Sequence, residues 1–518
     1  MKLNYKRTIL VGFAFFLISA FWQAYDATIP VILTNKFGMS QTLSGIIMAL
    51  DNILAVFMLP IFGALSDKCV KSKTGKRTPF ITIGTTIAAI ALVALSFVDS
   101  AQLVRVADVA TIDDPVSLGV IYDQQKNTEL VTPEGKVFTL EETFTKDAFM
   151  SIRTEIELAS GEKQANPDYT NYVVPARQAC AAEATAQDST TLIIFIALLL
   201  AVLIAMSIFR SPAVALMPDV TIKPLRSKAN AIINLMGTAG GILVLVLGIV
   251  FATSNVKNAM MSYTIYYGII AAIMLLALLI FRLTVKEPQW SAEMQEKSKE
   301  LGIEEEEEKQ EQTRKLTKSE RGSLLLILAS IALWYIGYNA VTSKYSLYAS
   351  SVLAMDYNTT LLIAQGAAII SYLPAGIIAS KVGRKKTILA GVVMLTSAFA
   401  IASFLRAGSS VLLMNVLFAL AGIGWATINV NSFPMVVEMC SGGDIGKYTG
   451  YYYTASMAAQ IITPVLSGWL MDTTGMMTVL FPYAAVFAGL AFVTMSFVKH
   501  GDAKPEAKKG LEALDTED

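Results

Sequence analysis

Long apolar runs separated by short polar loops dominate the chain. They lie near 9–33, 42–65, 79–98, 190–209, 229–251 and 262–284, then near 323–350, 359–380, 387–405, 411–434, 449–470 and 476–498. Each approaches the roughly 20 residues that a bilayer-crossing helix needs. The pattern therefore predicts an all-α membrane protein with twelve transmembrane helices in two sets of six. The amino terminus carries charge and runs straight into the first apolar stretch without a small-residue cleavage site, which predicts a first span rather than a removable signal. Composition agrees: 54% of the 518 residues are hydrophobic and 16% charged, against roughly 25% charged in a soluble domain.

The same pattern divides the chain. Residues 1–98 are expected to hold helices 1–3 of an N-terminal half and 190–285 its helices 4–6. Residues 323–498 are expected to hold the C-terminal half, helices 7–12. Between the third and fourth spans, 99–189 form a polar insertion with sixteen Asp/Glu against seven Lys/Arg. Gly119–Tyr122, Glu129–Thr132 and Lys136–Leu140 are read there as short strands, with Pro133-Glu134-Gly135 as a turn. A linker, 286–322, carries the run Glu304–Glu308, read as a solvated face, and 499–518 form a tail.

Charge placement sets orientation. Lys6, Arg7, Lys68, Lys71, Lys73, Lys76, Arg77, Lys223, Arg226, Lys228, Lys381, Arg384, Lys385 and Lys386 fall on one side, and the opposite short loops are poor in such residues. By the positive-inside rule both termini and the linker are cytoplasmic and the insertion is external, in a multi-pass protein of the cell membrane. Net charge is zero, so nothing points to nucleic acid. Cys69, Cys180 and Cys440 have no metal-ligand spacing and read as free thiols; neither metal nor cofactor is expected. His500, the one histidine, lies beyond the last run, which leaves no membrane-embedded histidine relay. The sequence contains no nucleotide-binding loop of the Gly-x-x-x-x-Gly-Lys-Ser/Thr type, and an enzyme is not expected.

Two loops repeat one pattern. Gly63-Ala-Leu-Ser-Asp67-Lys68 ends span two and is followed by Gly75-Lys76-Arg77; Gly376-Ile-Ile-Ala-Ser380-Lys381-Val-Gly383-Arg384-Lys385-Lys386 ends span eight. The arrangement resembles the major facilitator superfamily, whose loop between spans two and three carries a Gly-x-x-x-Asp signature followed by glycine and basic residues. Ser380 stands where the second copy would have its acid.

After span four, Arg210-Ser-Pro212-Ala-Val-Ala-Leu-Met-Pro218-Asp219 and Arg226-Ser-Lys-Ala229-Asn230-Ala231 resemble the glycoside–pentoside–hexuronide:cation symporters, in particular their plant-sucrose-transporter-like branch. Asn431-Ser-Phe-Pro434 through Glu438, with Gly446-Lys447-Tyr448-Thr449-Gly450, reads as a degenerate second copy. The melibiose-carrier branch places two acids late in span two. Here Ala55 to Pro60 holds none, which favours protons over sodium.

Ionisable groups inside a bilayer are costly and mark function. Asp26 in span one and Asp51 in span two lie roughly 14 Å below the outer end at 1.5 Å per residue, at similar depth. They are the candidates for ion coupling; the bland alternative is that they only line the cavity. Sugar recognition needs aromatic faces and amides or acids for hydroxyls. Trp22, Gln23, Tyr25, Asn52, Trp334, Tyr338, Asn339, Gln365 and Asn429 are the substrate candidates, with Tyr372, Trp425 and Asn431 further possibilities; an interfacial aromatic belt or helix packing is the alternative for the rings. Gly63, Asp67, Arg77, Arg210, Asp219, Arg226, Asn230, Gly376 and Arg384 are the gate candidates. Asp67, Arg77, Arg210, Asp219 and Arg226 are expected to form ion pairs that close the inner gate when the cavity opens outward.

The implied function is proton-coupled symport of a sugar or glycoside by a monomer whose only other partner is lipid. A facilitator or exporter of another small solute, and a receptor presenting the insertion, remain open.

Overall fold

The computed structural model describes residues 3–69, 72–157, 163–222, 225–300, 316–437, 439 and 445–501. Twelve long helices run through them. They are α1 (Tyr5–Asn35), α2 (Gln41–Asp67), α3 (Thr78–Arg105), α4 (Thr190–Val220), α5 (Arg226–Val250) and α6 (Thr264–Thr284). The second set is α7 (Lys318–Tyr348), α8 (Tyr357–Val382), α9 (Arg384–Ala402), α10 (Val411–Val437), α11 (Ile445–Thr474) and α12 (Leu480–Ser496). Ten of them are long and apolar enough to cross a membrane; α8 and α11 complete the two sets of six. The run Glu304–Glu308, Glu438, Cys440 and the tail beyond Gly501 lie outside the described residues.

Local chemistry starts these helices. Asn4 accepts the Arg7 N–H at 3.2 Å, Ser40 the Leu43 N–H at 3.3 Å, and Asp356 the N–H groups of Asn358 and Thr359 at 3.0 and 3.1 Å. Thr317 and Glu320 form a capping box at the start of α7. Prolines inside spans (Pro30, Pro60, Pro212, Pro218, Pro374, Pro434 and Pro464) are tolerated because neighbouring helices and polar side chains satisfy the freed carbonyls.

Buried side chains fall into three cores. One belongs to α1–α6, with Phe21, Leu92, Phe209 and Tyr267; a second to α7–α12, with Trp334, Phe399, Phe481 and, from α1, Ala27. The third, with Leu118, Ile121, Phe149, Tyr169 and Val173, belongs to the insertion and takes in Met260 from the α5–α6 loop. At the neck of the insertion Arg105 pairs with Asp188 at 2.6 Å, so the chain leaves and re-enters the bundle at one point.

The insertion is mostly helical. Among the described residues its β-structure is two small antiparallel hairpins, β1 (Leu130–Val131) with β2 (Val137–Phe138), and β3 (Glu155–Glu157) with β4 (Lys163–Ala165). The turn Pro133-Glu134-Gly135 closes the first, with Gly135 at φ +88°. Gly119–Tyr122 is a correction: it lies within a helix, Pro115–Gln125. Asp114 caps that helix through the Ser117 N–H at 3.0 Å and Pro115 occupies its first position, which outweighs the local apolar run.

The halves meet through α1–α7, α2–α11 and α5–α8. Backbone approaches backbone there: a Cβ on Gly45 would stand 2.0 Å from the Pro464 carbonyl, and one on Gly468 2.2 Å from that of Gln41. Asp472 of α11 accepts the N–H groups of Gln41 and Thr42 at 2.9 and 2.7 Å, capping α2 from the opposite half. Lys344 of α7 donates to the Gln41 carbonyl at 3.0 Å, and Asn358 of α8 to Thr253 at 3.0 Å. All these bonds lie at the insertion end of the bundle.

Candidate functional site

Between the halves is a cavity of about 430 Å³. Ser19, Trp22, Gln23 and Asp26 of α1, with Asn234 and Thr238 of α5, form one wall. Tyr338, Thr342 and Ser346 of α7, Gln365 and Tyr372 of α8, and Trp425 of α10 form the other. Helix α5 can supply a wall because glycines let it press on α1: a Cβ on Gly240 would sit 2.5 Å from the Phe16 carbonyl oxygen. The cavity runs from Asp26 and Ser346 towards Phe15, Asn234 and Tyr372, away from the closed insertion end.

A side-chain bond crosses it. Gln365 Nε2 donates to Gln23 Oε1 at 2.7 Å. Gly241 lies alongside that bond: a Cβ there would be in ordinary contact with the two amide oxygens, at 3.5 and 3.7 Å. Beside it Tyr338 and Trp425 stack with centroids 3.7 Å apart and planes 4° from parallel. Tyr335 supports Trp425 edge-on at 5.2 Å. Across the cavity, Trp22 packs edge-on against Tyr25 at 5.4 Å, and the Arg210 guanidinium lies 5.6 Å from the Trp22 ring.

Among the candidates, Trp22, Gln23, Asp26, Tyr338 and Gln365 line this space. Asp26 is half-buried. Asp51 is not part of the lining; it accepts from its neighbour Asn52 at 2.8 Å. Five substrate candidates do not reach the cavity. Tyr25 is buried behind Trp22, Asn52 turns to Asp51, and Trp334 lies fully inside the second core. Asn339 and Asn429 each keep a buried amide atom without a hydrogen-bond partner among the described residues, away from the lining. The physical reason is rotation: one helix of a bundle presents only part of its circumference to the seam, and composition does not say which.

The basic end holds a second cluster. Arg77 bonds Asp219 at 2.8 Å, Asp67 and Ser66; Lys76 reaches Asp219 at 3.2 Å. Gly63 allows α2 to meet α4, its Cβ position lying 2.9 Å from Ser211 Oγ. Glu287, which sequence reading missed, opens the helix Glu287–Glu300 after α6. It accepts the N–H groups of Arg77 and Thr78 at 2.8 Å each and the Thr78 hydroxyl at 2.7 Å. Gly75, at φ +109°, makes room: a Cβ there would be 2.3 Å from the Glu287 carboxyl carbon.

These contacts correct the latch expectation. Asp67, Arg77 and Asp219 belong to the first half and Glu287 to the linker helix that follows it, and their bonds are intact while the cavity runs towards the same end. They tie α2, α3, α4 and the linker helix into one body. Arg210 is a further correction. It sits nine residues before Asp219 on the continuous α4, roughly 14 Å deeper at 1.5 Å per residue, and faces Trp22 instead of the loop. Gly376 makes no close approach, its Cβ position meeting only Val430 at 4.0 Å. Asn230 on α5 and Arg384 at the start of α9 are half-buried; Arg226 begins α5, and its side chain lies outside the described residues.

A buried ion pair also went unread. Lys36 and Asp99, both fully buried, meet at 2.6 Å; the ammonium also donates to the Met261 carbonyl at 2.6 Å and lies 4.6 Å from the Tyr263 ring. Lys36 follows α1 and Asp99 lies in α3, so the pair joins α1, α3 and the start of α6. In sequence they resemble a loop lysine and the first acid of the insertion, a signal too weak to pair them.

Comparison with known proteins follows this geometry. The Major Facilitator Superfamily model matches residues 176–371 and 357–516, and the MFS/sugar transport protein model matches 10–109. No curated protein matches the sequence closely enough to count as a relative. Among solved structures, the xylose transporter XylE from E. coli in its inward-open conformation is similar at 14% identity, covering 99% of each chain with a TM-score of 0.59. A D-xylose-proton symporter is similar at 14% identity over 98% of this chain and 100% of the other, with a TM-score of 0.56. A mutant of the nucleoside transporter NupG is similar at 14% identity over 95% and 100%, with a TM-score of 0.55. At such identities the likeness concerns the fold, a twelve-helix bundle in two halves. With the superfamily model matched along most of its length, the chain belongs to the Major Facilitator Superfamily of multi-pass membrane transporters.

Proposed function

We propose that the chain is a secondary active transporter that carries a sugar or glycoside together with protons by alternating access. One observation carries the reading: a carboxylate, a pair of amides contributed by both halves and aromatic faces share one cavity at the seam. Gln23 and Gln365 suit hydroxyl groups, because each amide offers a donor and an acceptor. Trp22 and the Tyr338–Trp425 stack suit the apolar face of a ring. Asp26, at the closed end of the cavity, takes up and releases the proton, with Asp51 as the second candidate acid. The loop motifs at Gly63–Arg77 and Arg210–Asn230 favour the glycoside–pentoside–hexuronide symporter group and its plant-sucrose-transporter-like branch, and the sugar-transport family match over 10–109 agrees with a sugar.

In this reading the basic end faces the cytoplasm with both termini, the insertion faces outward, and the protein works as a monomer in the cell membrane with the domain limits given above. The structure described is then the inward-facing state. The test is solute-induced proton uptake by proteoliposomes, screened over disaccharides and glycosides. A sugar that drives proton entry, with coupling lost in Asp26→Asn, supports the proposal. No pH change with any sugar, while Asp26→Asn and Asp51→Asn keep full transport activity, refutes it. A second reading, a carrier of another small solute, draws on the Tyr338–Trp425 stack, whose flat face accepts any planar ring. Uptake of such a solute without proton movement would favour it.

A further inference from the structure

The insertion grows out of the first half. Its helix Val174–Gln187 packs on the end of α1, where Gln178 donates to Asn35 at 2.8 Å and a Cβ on Gly38 would stand 2.3 Å from the Ala182 nitrogen. Yet its two hairpins reach the second half. The carbonyl of Pro133, in the β1–β2 turn, accepts the N–H groups of Met477 and Thr478 at 2.9 and 3.4 Å, and Glu134 pairs with Met476 as an antiparallel bridge. Glu134 also holds Arg406, between α9 and α10, at 3.0 Å.

Glycines mark both sides of this contact. A Cβ on Gly135 would lie 2.3 Å from Met476, one on Gly475 3.1 Å from Val131, and one on Gly408 2.3 Å from Gln164 in β4. All three glycines have positive φ, +88°, +65° and +84°. Two loops of the second half are thus shaped to receive two hairpins of the first.

We infer that the insertion is a strap: it closes across the insertion end of the bundle, holds the two halves together there, and must detach from Met476 and Arg406 for that end to open. This rests on the alternating-access reading. Rigid-body rocking about the cavity separates the halves at one end as it joins them at the other. An element rooted in one half and bonded to the other resists that motion, so its bonds bias the equilibrium towards the state closed at the insertion end. The loops it grips, α9–α10 and α11–α12, join helices of the second half only.

The test measures distance and transport separately. In a chain with Cys69, Cys180 and Cys440 replaced by alanine, spin labels at Val104 and Leu412, both exposed, report the separation of the halves at the insertion end. Glu134→Ala with Arg406→Ala should raise the longer-distance population about three- to fivefold, the scale of an exposed ion pair. In the opposite direction, Glu134 and Met476 form a non-hydrogen-bonded antiparallel pair, a pairing that typically holds Cα atoms about 4.5 Å apart, within disulfide range. Glu134→Cys with Met476→Cys should, when oxidised, abolish the longer distance and transport, and reductant should restore both. An oxidised pair that still samples the longer distance as freely as the reduced protein overturns the strap. If the parent protein moves no solute, the transport reading fails while the label distances still decide this one.

Discussion

Gln23 and Gln365 stand 2.7 Å apart on opposite halves, joined by one hydrogen bond across the cavity. The pair spans the plane about which the halves are proposed to move. A solute that fits between them must replace that bond with its own.

Gln365→Ala leaves Gln23 without its partner and removes one solute contact. Loss of a hydrogen bond worth about 0.5–1.5 kcal/mol should raise the transport KM about three- to tenfold. Gly241→Leu, which fills the space beside both amide oxygens, should abolish solute binding with the bundle still folded. Uptake kinetics and calorimetric binding in detergent check the two substitutions.

Lys36 and Asp99 should reveal themselves by stability. Removing either alone, by Lys36→Met or Asp99→Leu, strands a buried charge and should cost about 3–5 kcal/mol, whereas the double substitution should recover most of it. Thermal unfolding of the purified protein measures this. Equal losses in the two single variants and the double variant would show that packing, and not the pair, is what matters.

Around Arg77 the acids should be unequal. The Asp67 side chain is 59% exposed and the Asp219 side chain 20%. Asp67→Asn should therefore cost under about 1 kcal/mol, with Asp219→Asn, which deprives both Arg77 and Lys76, costing more. Glu287→Ala should cost about 0.5–2 kcal/mol by uncapping α3. The same unfolding measurement ranks them.

Asp472 caps α2 across the seam, a contact that opening of the insertion end, as proposed, would break. Asp472→Ala should remove about 0.5–2 kcal/mol from that state. Ser44, buried beside the seam, then becomes a reporter. In a Ser44→Cys background, modification by a membrane-impermeant thiol reagent should speed up about threefold or more. An unchanged rate would mean that the cap does not bear on the equilibrium.

The fold was far more legible than the site. Twelve apolar runs in two sets of six, with a polar insertion after the third, are written in hydropathy, because a bilayer imposes span length. The β1–β2 turn was legible in Pro133-Glu134-Gly135, whereas the apolar pattern of Gly119–Tyr122 carries less weight than the Asp114 cap and Pro115 that start a helix upstream of it. Gln23 and Gln365 stood out as amides within apolar runs. Their meeting did not, because residue type says nothing of helix rotation. Arg210 sits deeper than the loop motif suggests because α4 extends to Val220, so the end of the apolar run does not mark the membrane boundary. Glu287 and Asp472 act on helix termini distant in sequence, which no local pattern reveals.

The separate core of the insertion bears on how the chain is made. Val109, Leu118, Phe149 and Val173 bury one another without help from most of the bundle, and the Arg105–Asp188 neck closes the segment on itself. Chain segments with their own core fold as units in the order of synthesis. This one can do so once α3 has crossed the bilayer. Helix α4 would then be threaded behind a folded body, and the loops of the second half, made last, would dock onto a surface already waiting for them.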